Sequence, residues 1–214
     1  MAKGEIMSAI LIENSPLTYE FSPAMKFDFG KALRKMNDDE FFEFCRRNSF
    51  WRIEMDKHGE IIIMPPTGSE TGRKNFKLAV KFGKWVEKDG TGEAFDSSTG
   101  FRLPNGAKRS PDLSWIKLER WEKIPKARRK KFAPVCPDFV VELRSESDSL
   151  KKLQAKMREY IENGASLGWL IDPTKKRVYV YRPNVETKIL ANPKEVSGEP
   201  LLKGFTLSLK EIWE

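Results

Sequence analysis

Residues 137–173 read PDFVVELRSESDSLKKLQAKMREYIENGASLGWLIDP. An apolar run over 138–145 gives way to helical spacing from Leu150 to Asn163, closed by Gly164, and then to a second apolar run, Leu167–Ile171. A strand, a helix and a strand in this order predict two parallel neighbours joined by a right-handed crossover. Side chains alternate along a strand, so Asp138, Val140, Glu142 and Arg144 point one way and Phe139, Val141 and Leu143 the other. Glu142 therefore lies inside an apolar run. A carboxylate there is costly unless it is paired, protonated or bound to a cation.

Outward from this unit the pattern changes. Trp51, Ile53 and Met55 alternate with Arg52, Glu54 and Asp56, which predicts a half-buried strand. The turn Asp56-Lys57-His58-Gly59 leads into a second strand, Ile61–Met64, ended by Pro65-Pro66. Before the hairpin, Asn37-Asp38-Asp39 precedes Phe41, Phe42, Phe44 and Cys45, a capped amphipathic helix. Residues 70–89 form a long helix with Phe76, Leu78, Ala79, Phe82 and Trp85 on one face and Arg73, Lys77, Lys81, Lys84 and Lys88 on the other. Short strands are expected at 93–96, 100–103, 112–116 and 177–181, and the tail 204–213 reads as a strand leading into a short helix. Hairpins imply antiparallel neighbours and the crossover a parallel pair. The expectation is an α/β fold: a central mixed sheet flanked by helices, with an N-terminal helix and hairpin extension. Residues 1–33 lack a clear period and read as an irregular arm or short extra strands, ahead of a single domain over 34–214.

Composition narrows the chemistry. The 214 residues carry 39 Lys and Arg against 31 Asp and Glu, a net charge of +8 that favours a polyanionic partner such as nucleic acid. His58 is the single histidine and falls in a turn; Cys45 and Cys136 have neither metal-ligand spacing nor a disulfide framework. Histidine-dependent nucleases, zinc sites and Ser-His-Asp hydrolases are thereby disfavoured, and a reducing, cytoplasmic setting is expected. No apolar run approaches a membrane span and no secretory apolar region opens the chain. Hydrolytic chemistry must then rest on carboxylates, lysines and a hard metal.

Two acids stand in suitable settings: Asp112, in Ser110-Pro111-Asp112 at the start of a strand, and Glu142. If their strands are neighbours, the two converge at one end of the sheet, where they repel unless a divalent cation neutralises them. Mg²⁺ suits such a pair, with water and substrate phosphate completing its octahedron. Read without a metal, Asp112 is a turn-forming acid after proline and Glu142 a partner for Lys156 or Arg144.

The Pro-Asp and Glu-x-basic pattern resembles the PD-(D/E)XK nuclease superfamily. The longer stretches WRIEMDKHGEIIIMPPTGSETGRKN, GFRLPNGAKRSPDLSWI, ERW, PDFVVELRSESDSLKKLQAKMREYIENGASLGWLIDP and VYVYRP resemble the Uma-two family of restriction-endonuclease-like proteins, from about residue 36 to the C-terminus. That resemblance implies a restriction-endonuclease-like core and a Mg²⁺-dependent endonuclease site, with Mn²⁺ as a substitute, acting on DNA. It implies Asp112 and Glu142 as metal ligands and Lys156, from the following helix, as the lysine that position 144 lacks. Arg144 in that place is expected to support the scissile phosphate. Glu70 matches an acid of the superfamily's first helix, the Leu143 carbonyl is a further candidate ligand, and Ser145 and Tyr160 are candidates beside the site. Arg73, Lys77, Lys81, Arg128 and Arg129 are candidate contacts to the nucleic-acid backbone, and a homodimer is expected by analogy with the superfamily. Two other readings stand alongside: an inactive nucleic-acid-binding or regulatory module on the same fold, favoured by Arg144, and an oligomeric scaffold in which Glu142 and Lys156 form a structural ion pair.

Overall fold

The structure, a computed structural model, describes Met25–Phe27 and residues 36–214. Most of the arm expected over 1–33 lies outside the described residues; within it, Met25–Phe27 forms strand β1. Helix α1 (Asp38–Arg47) opens on the expected cap: the Asn37 side chain accepts from the N–H groups of Asp39 and Glu40, and Glu40 accepts in turn from the Asn37 N–H. Strands β2 (Arg52–Met55) and β3 (Ile61–Met64) form the expected hairpin. Asp56 closes its turn by accepting from the His58 and Glu60 N–H groups, and Gly59 supplies a φ of 83°.

The long helix α2 (Ser69–Asp89) ends at Gly90, which is left-handed. There follow β4 (Gly92–Asp96), β5 (Phe101–Arg102), β6 (Lys108–Arg109), β7 (Leu113–Lys117), and two short helices, α3 (Leu118–Glu122) and α4 (Lys126–Arg129). The deciding stretch forms β8 (Phe139–Leu143), α5 (Leu150–Glu162) and β9 (Leu167–Asp172). The chain finishes with β10 (Arg177–Tyr181), β11 (Lys188–Ala191), β12 (Glu195–Ser197), β13 (Thr206–Ser208) and α6 (Lys210–Trp213).

The central sheet runs β11-β10-β9-β8-β7-β4, with β8 and β9 parallel and the other pairs antiparallel. A second sheet, β1-β3-β2-β6-β5, carries the hairpin. The alternation read along β8 holds. Phe139, Val141 and Leu143 pack with Leu78 and Phe82 of α2 and with Trp169, whereas Val140 packs with Met157 and Tyr160 of α5. A third, separate cluster, Phe41, Ile53, Met55 and Ile61, ties α1 to the hairpin.

Some features depart from expectation. β11 and β12 form where no strand is expected, because both are short and largely exposed and carry no period. The charged connection over 119–131 contains α3 and α4, and two of its arginines are held: Arg128 lies 3.4 Å from Asp39, while Arg129 stacks on Trp121 and donates to the carbonyls of Ile124 and Glu122. On α2, Lys77 and Lys81 reach Glu211 of α6 at 3.0 and 2.5 Å rather than standing free.

Candidate active site

The β7–β8 register pairs Leu113 with Val141 and Ser114 with Val140, so one step further sets Asp112 opposite Glu142. The Leu143 N–H donates to Asp112 Oδ2 at 2.8 Å, fixing the aspartate at the end of β8. Glu142 points to the α5 side, where Lys156 and Tyr160 meet it one helical turn apart. Lys156 Nζ is 2.8 Å from Glu142 Oε1, and Tyr160 donates to the same oxygen at 3.1 Å. Glu142 Oε2 makes no hydrogen bond among the described residues. Asp112, Glu142 and Lys156 are therefore brought together from three elements.

A fourth wall comes from β2. Glu54 is buried and accepts from Lys156 at 2.8 Å, from the Ser110 N–H at 2.9 Å and from Arg109 at 3.2 Å. Arg109 also meets Glu159 of α5 at 2.6 Å. Arg52, two residues before Glu54 and so on the same face of β2, donates to Asp112 Oδ1 at 3.0 Å and to the Ser110 carbonyl. The sequence reading places Arg52 and Glu54 on the solvent side of a half-buried strand, and it passes over Arg109 and Glu159. The available signal lies in the hairpin partner: β3 is apolar at every position, which suits a strand covered on both faces, and Ile62 pairs with Glu54. The opposite face of β2 is covered too, by the site itself.

Arg144 and Glu70 line the same cleft but are paired with other side chains. Arg144 pairs with the buried Asp172 at 2.8 Å and donates to the Asp148 carbonyl, which braces the β8–α5 connection to β9. Glu70 is exposed and bonded to Arg73 at 2.6 Å, with Lys74 at 3.5 Å. Ser145 caps the same connection by donating to Asp148. Leu143 meets the site through its N–H, which donates to Asp112, and its carbonyl remains a candidate ligand only.

The electrostatics follow from burial. Burial alone would raise Glu54, but Lys156, Arg109 and Arg52 overcome it and hold the carboxyl down to about 2. Glu142 sits in the same cluster with the opposite result: burial, reinforced by Asp112 and Glu54 and only partly offset by Lys156, pushes it up to about 7. Burial would discharge Lys156, yet Glu142 and Glu54 together raise its pKa, so the amine stays protonated.

These residues line a cleft of about 1750 Å³ bounded by β2, the start of β7, the end of β8 and α5. Among the described residues no three Asp, Glu, His or Cys side chains form a ready-made cation cage. The donor set that does converge, Asp112 and Glu142, offers hard oxygens, and burial is the main reason the Glu142 carboxyl is raised. Mg²⁺ is usually held by only one or two carboxylates and keeps several waters, so the residues fit such an ion.

A family model named Uma2 and described as "Putative restriction endonuclease" matches residues 38–210. No curated protein matches the chain. Among solved structures, a "putative nuclease belonging to DUF820" from Anabaena variabilis ATCC 29413 is similar with a TM-score of 0.63 and 24% identity, covering 75% of this chain and 89% of that one. At that identity the likeness is one of fold.

Proposed function

This chain belongs to the Uma2 family of putative restriction endonucleases, and we propose that it is a metal-dependent endonuclease hydrolysing phosphodiester bonds of DNA in the cleft between β2 and α5. The observation that carries the reading is the convergence of Asp112, just before β7, with Glu142 of β8 and Lys156 of α5 inside one cleft. Asp112 and Glu142 would hold a Mg²⁺ ion, with Mn²⁺ as a substitute. When bound, such an ion lowers the pKa of a water and offsets charge developing on a phosphodiester. Lys156, kept protonated between two glutamates, fixes Glu142 through Oε1 and supplies a permanent positive charge beside the cleft. Tyr160 donates to that same oxygen, which leaves Oε2 for the ligand role. Glu54 holds Lys156 in place and, through the Ser110 N–H, the turn that delivers Asp112.

The basic residues expected at the DNA backbone are engaged within the chain, as Lys77, Lys81, Arg73, Arg128 and Arg129 illustrate. Lys152 and Arg158 suit that task better: both lie on α5, are exposed, line the cleft and make no ion pair among the described residues. The test is nicking of supercoiled plasmid with Mg²⁺ or Mn²⁺, comparing the parent with Glu142→Gln. Loss of metal-dependent nicking in the variant is expected; equal nicking by both would remove Glu142 from the chemistry.

One observation favours the second reading, an inactive nucleic-acid-binding module. Both acids already have cations of the chain beside them, Arg52 on Asp112 and Lys156 on Glu142. DNA binding that falls with salt but never leads to metal-dependent cleavage would select it.

A further inference from the structure

The cluster holds three cations, and they are not equally secured. Lys156 lies 2.8 Å from both Glu54 and Glu142, and its side chain is 12% exposed. Arg109 bridges Glu54 and Glu159 and is 9% exposed. Arg52 has a single carboxylate partner, Asp112, and one carbonyl, that of Ser110. Its side chain is 29% exposed toward the cleft, and its buried Nε has no hydrogen-bond partner. A buried N–H without a partner is a cost that the native arrangement normally avoids. Arg52 is the least well satisfied of the three and the most exposed.

Its position matters more than its looseness. Asp112 Oδ2 is taken by the Leu143 N–H, a backbone bond at the end of β8, so Oδ1 is the oxygen left for an incoming ligand. Arg52 sits on Oδ1. Asp112, Glu54 and Glu142 all act electrostatically on its guanidinium, which is the set of charges a divalent cation at this place would compensate.

We propose, resting on the metal-dependent reading above, that Arg52 is the resident counter-charge of the site, occupying the Asp112 oxygen that a divalent cation takes, and that it leaves Asp112 for the cleft when the cation binds. Arg52 and the cation compete for one carboxylate oxygen. Metal-free, Arg52 keeps Asp112 neutralised. Once displaced, its five donors face the cleft where a phosphate would lie.

The test measures cation binding with no nucleic acid present. Mn²⁺ is titrated into the parent protein, Arg52→Gln, Arg52→Lys and Glu142→Gln, and free Mn²⁺ is read by electron paramagnetic resonance, with circular dichroism confirming each fold. Arg52→Gln is expected to bind Mn²⁺ about tenfold more tightly than the parent, since a unit charge at hydrogen-bond distance shifts carboxylate equilibria by about that factor. Arg52→Lys, which keeps the charge but not the forked grip, should fall between them and stands in if the glutamine variant does not fold. In the parent, Mg²⁺ should also shift the ¹⁵Nε–¹H resonance of Arg52. Unchanged or weaker Mn²⁺ binding by both folded Arg52 variants, alongside binding by the parent that Glu142→Gln abolishes, overturns the role of Arg52 and leaves the metal site standing. No Mn²⁺ binding by any of the proteins overturns both.

Discussion

At the scale of single residues, Glu54 and Glu142 share one lysine yet are held at opposite ends of the carboxylate range. Three cations surround Glu54, whereas at Glu142 burial outweighs the single lysine beside it. In metal-free protein its folded pKa of about 7 lies above the ordinary value of 4.5. Protonation of Glu142 therefore favours the folded state, and this contribution is complete below pH 4.5 and lost as pH rises through 7. Glu142→Gln, neutral at every pH, should melt with the parent near pH 4.5 and above it at pH 8 in chelator, as read by thermal denaturation. Added Mg²⁺ should raise the melting temperature of the parent and leave that of the variant unchanged. A less stable variant at pH 8 would instead favour Glu142 as half of a structural ion pair. Lys156→Met is expected to act the other way, because it leaves two buried glutamates facing each other; removing one partner of a buried pair costs about 3–5 kcal/mol, measurable by urea unfolding. Sequence reading reaches Glu142 because an acid within a Val-Val-x-Leu run breaks a pattern. It misses Glu54 because an acid alternating with Ile53 and Met55 obeys one.

At the scale of elements, long periodic segments are legible and short ones are not. Helices α2 and α5 begin and end within a residue or so of the expected limits, and α1 begins at its expected cap, since each couples an apolar stripe to a cap or a terminating residue. The Asn37 cap makes a direct prediction: Asn37→Ala should lower stability by about 1 kcal/mol, read by chemical denaturation, as side-chain oxygens at this position typically contribute that much. Strand β11 and helices α3 and α4 have too few residues for a period to emerge, and long-range partners rather than local pattern decide them. The same limit explains the basic stripe of α2. Helical spacing groups Lys77 with Lys81, but Glu211, 134 residues beyond Lys77, makes them a latch to α6. Lys81 and Lys77 hold the Glu211 carboxyl down to about 2. The latch is present at pH values above 4.5 and weakens as pH falls through 2.

For the whole molecule, a net charge of +8 points to polyanions without saying where they bind. Once the paired cations are set aside, unpaired ones along the cleft, among them Lys152 and Arg158, give that charge a direction. Replacing both with glutamine should weaken DNA binding about equally across sequences and reduce the slope of log K against log[salt] by about one per phosphate contact removed, measured by fluorescence anisotropy. The double variant Arg128→Gln/Arg129→Gln should leave the slope unchanged. The fold itself is readable from the 137–173 stretch outward, because a parallel crossover and flanking hairpins admit few arrangements. How the second sheet closes over the first is not, because charged side chains that read as surface make that contact.

That contact has a consequence for the order in which the molecule opens. The β2–β3 hairpin and α1 keep a small core of their own, Phe41, Ile53, Met55 and Ile61. Their attachment to the central sheet beside the cleft runs through the Lys156–Glu54 and Arg52–Asp112 pairs. We expect the hairpin unit to open as one foldon, held by these pairs together with the β2–β6 pairing and the Asp38 bridges to Arg102 and Lys108. Native-state hydrogen exchange should find its amides opening together, below the global unfolding free energy, and Glu54→Gln should lower that opening energy while leaving β9 and β10 protected. A site built this way couples its own integrity to the docking of one cooperative unit on another.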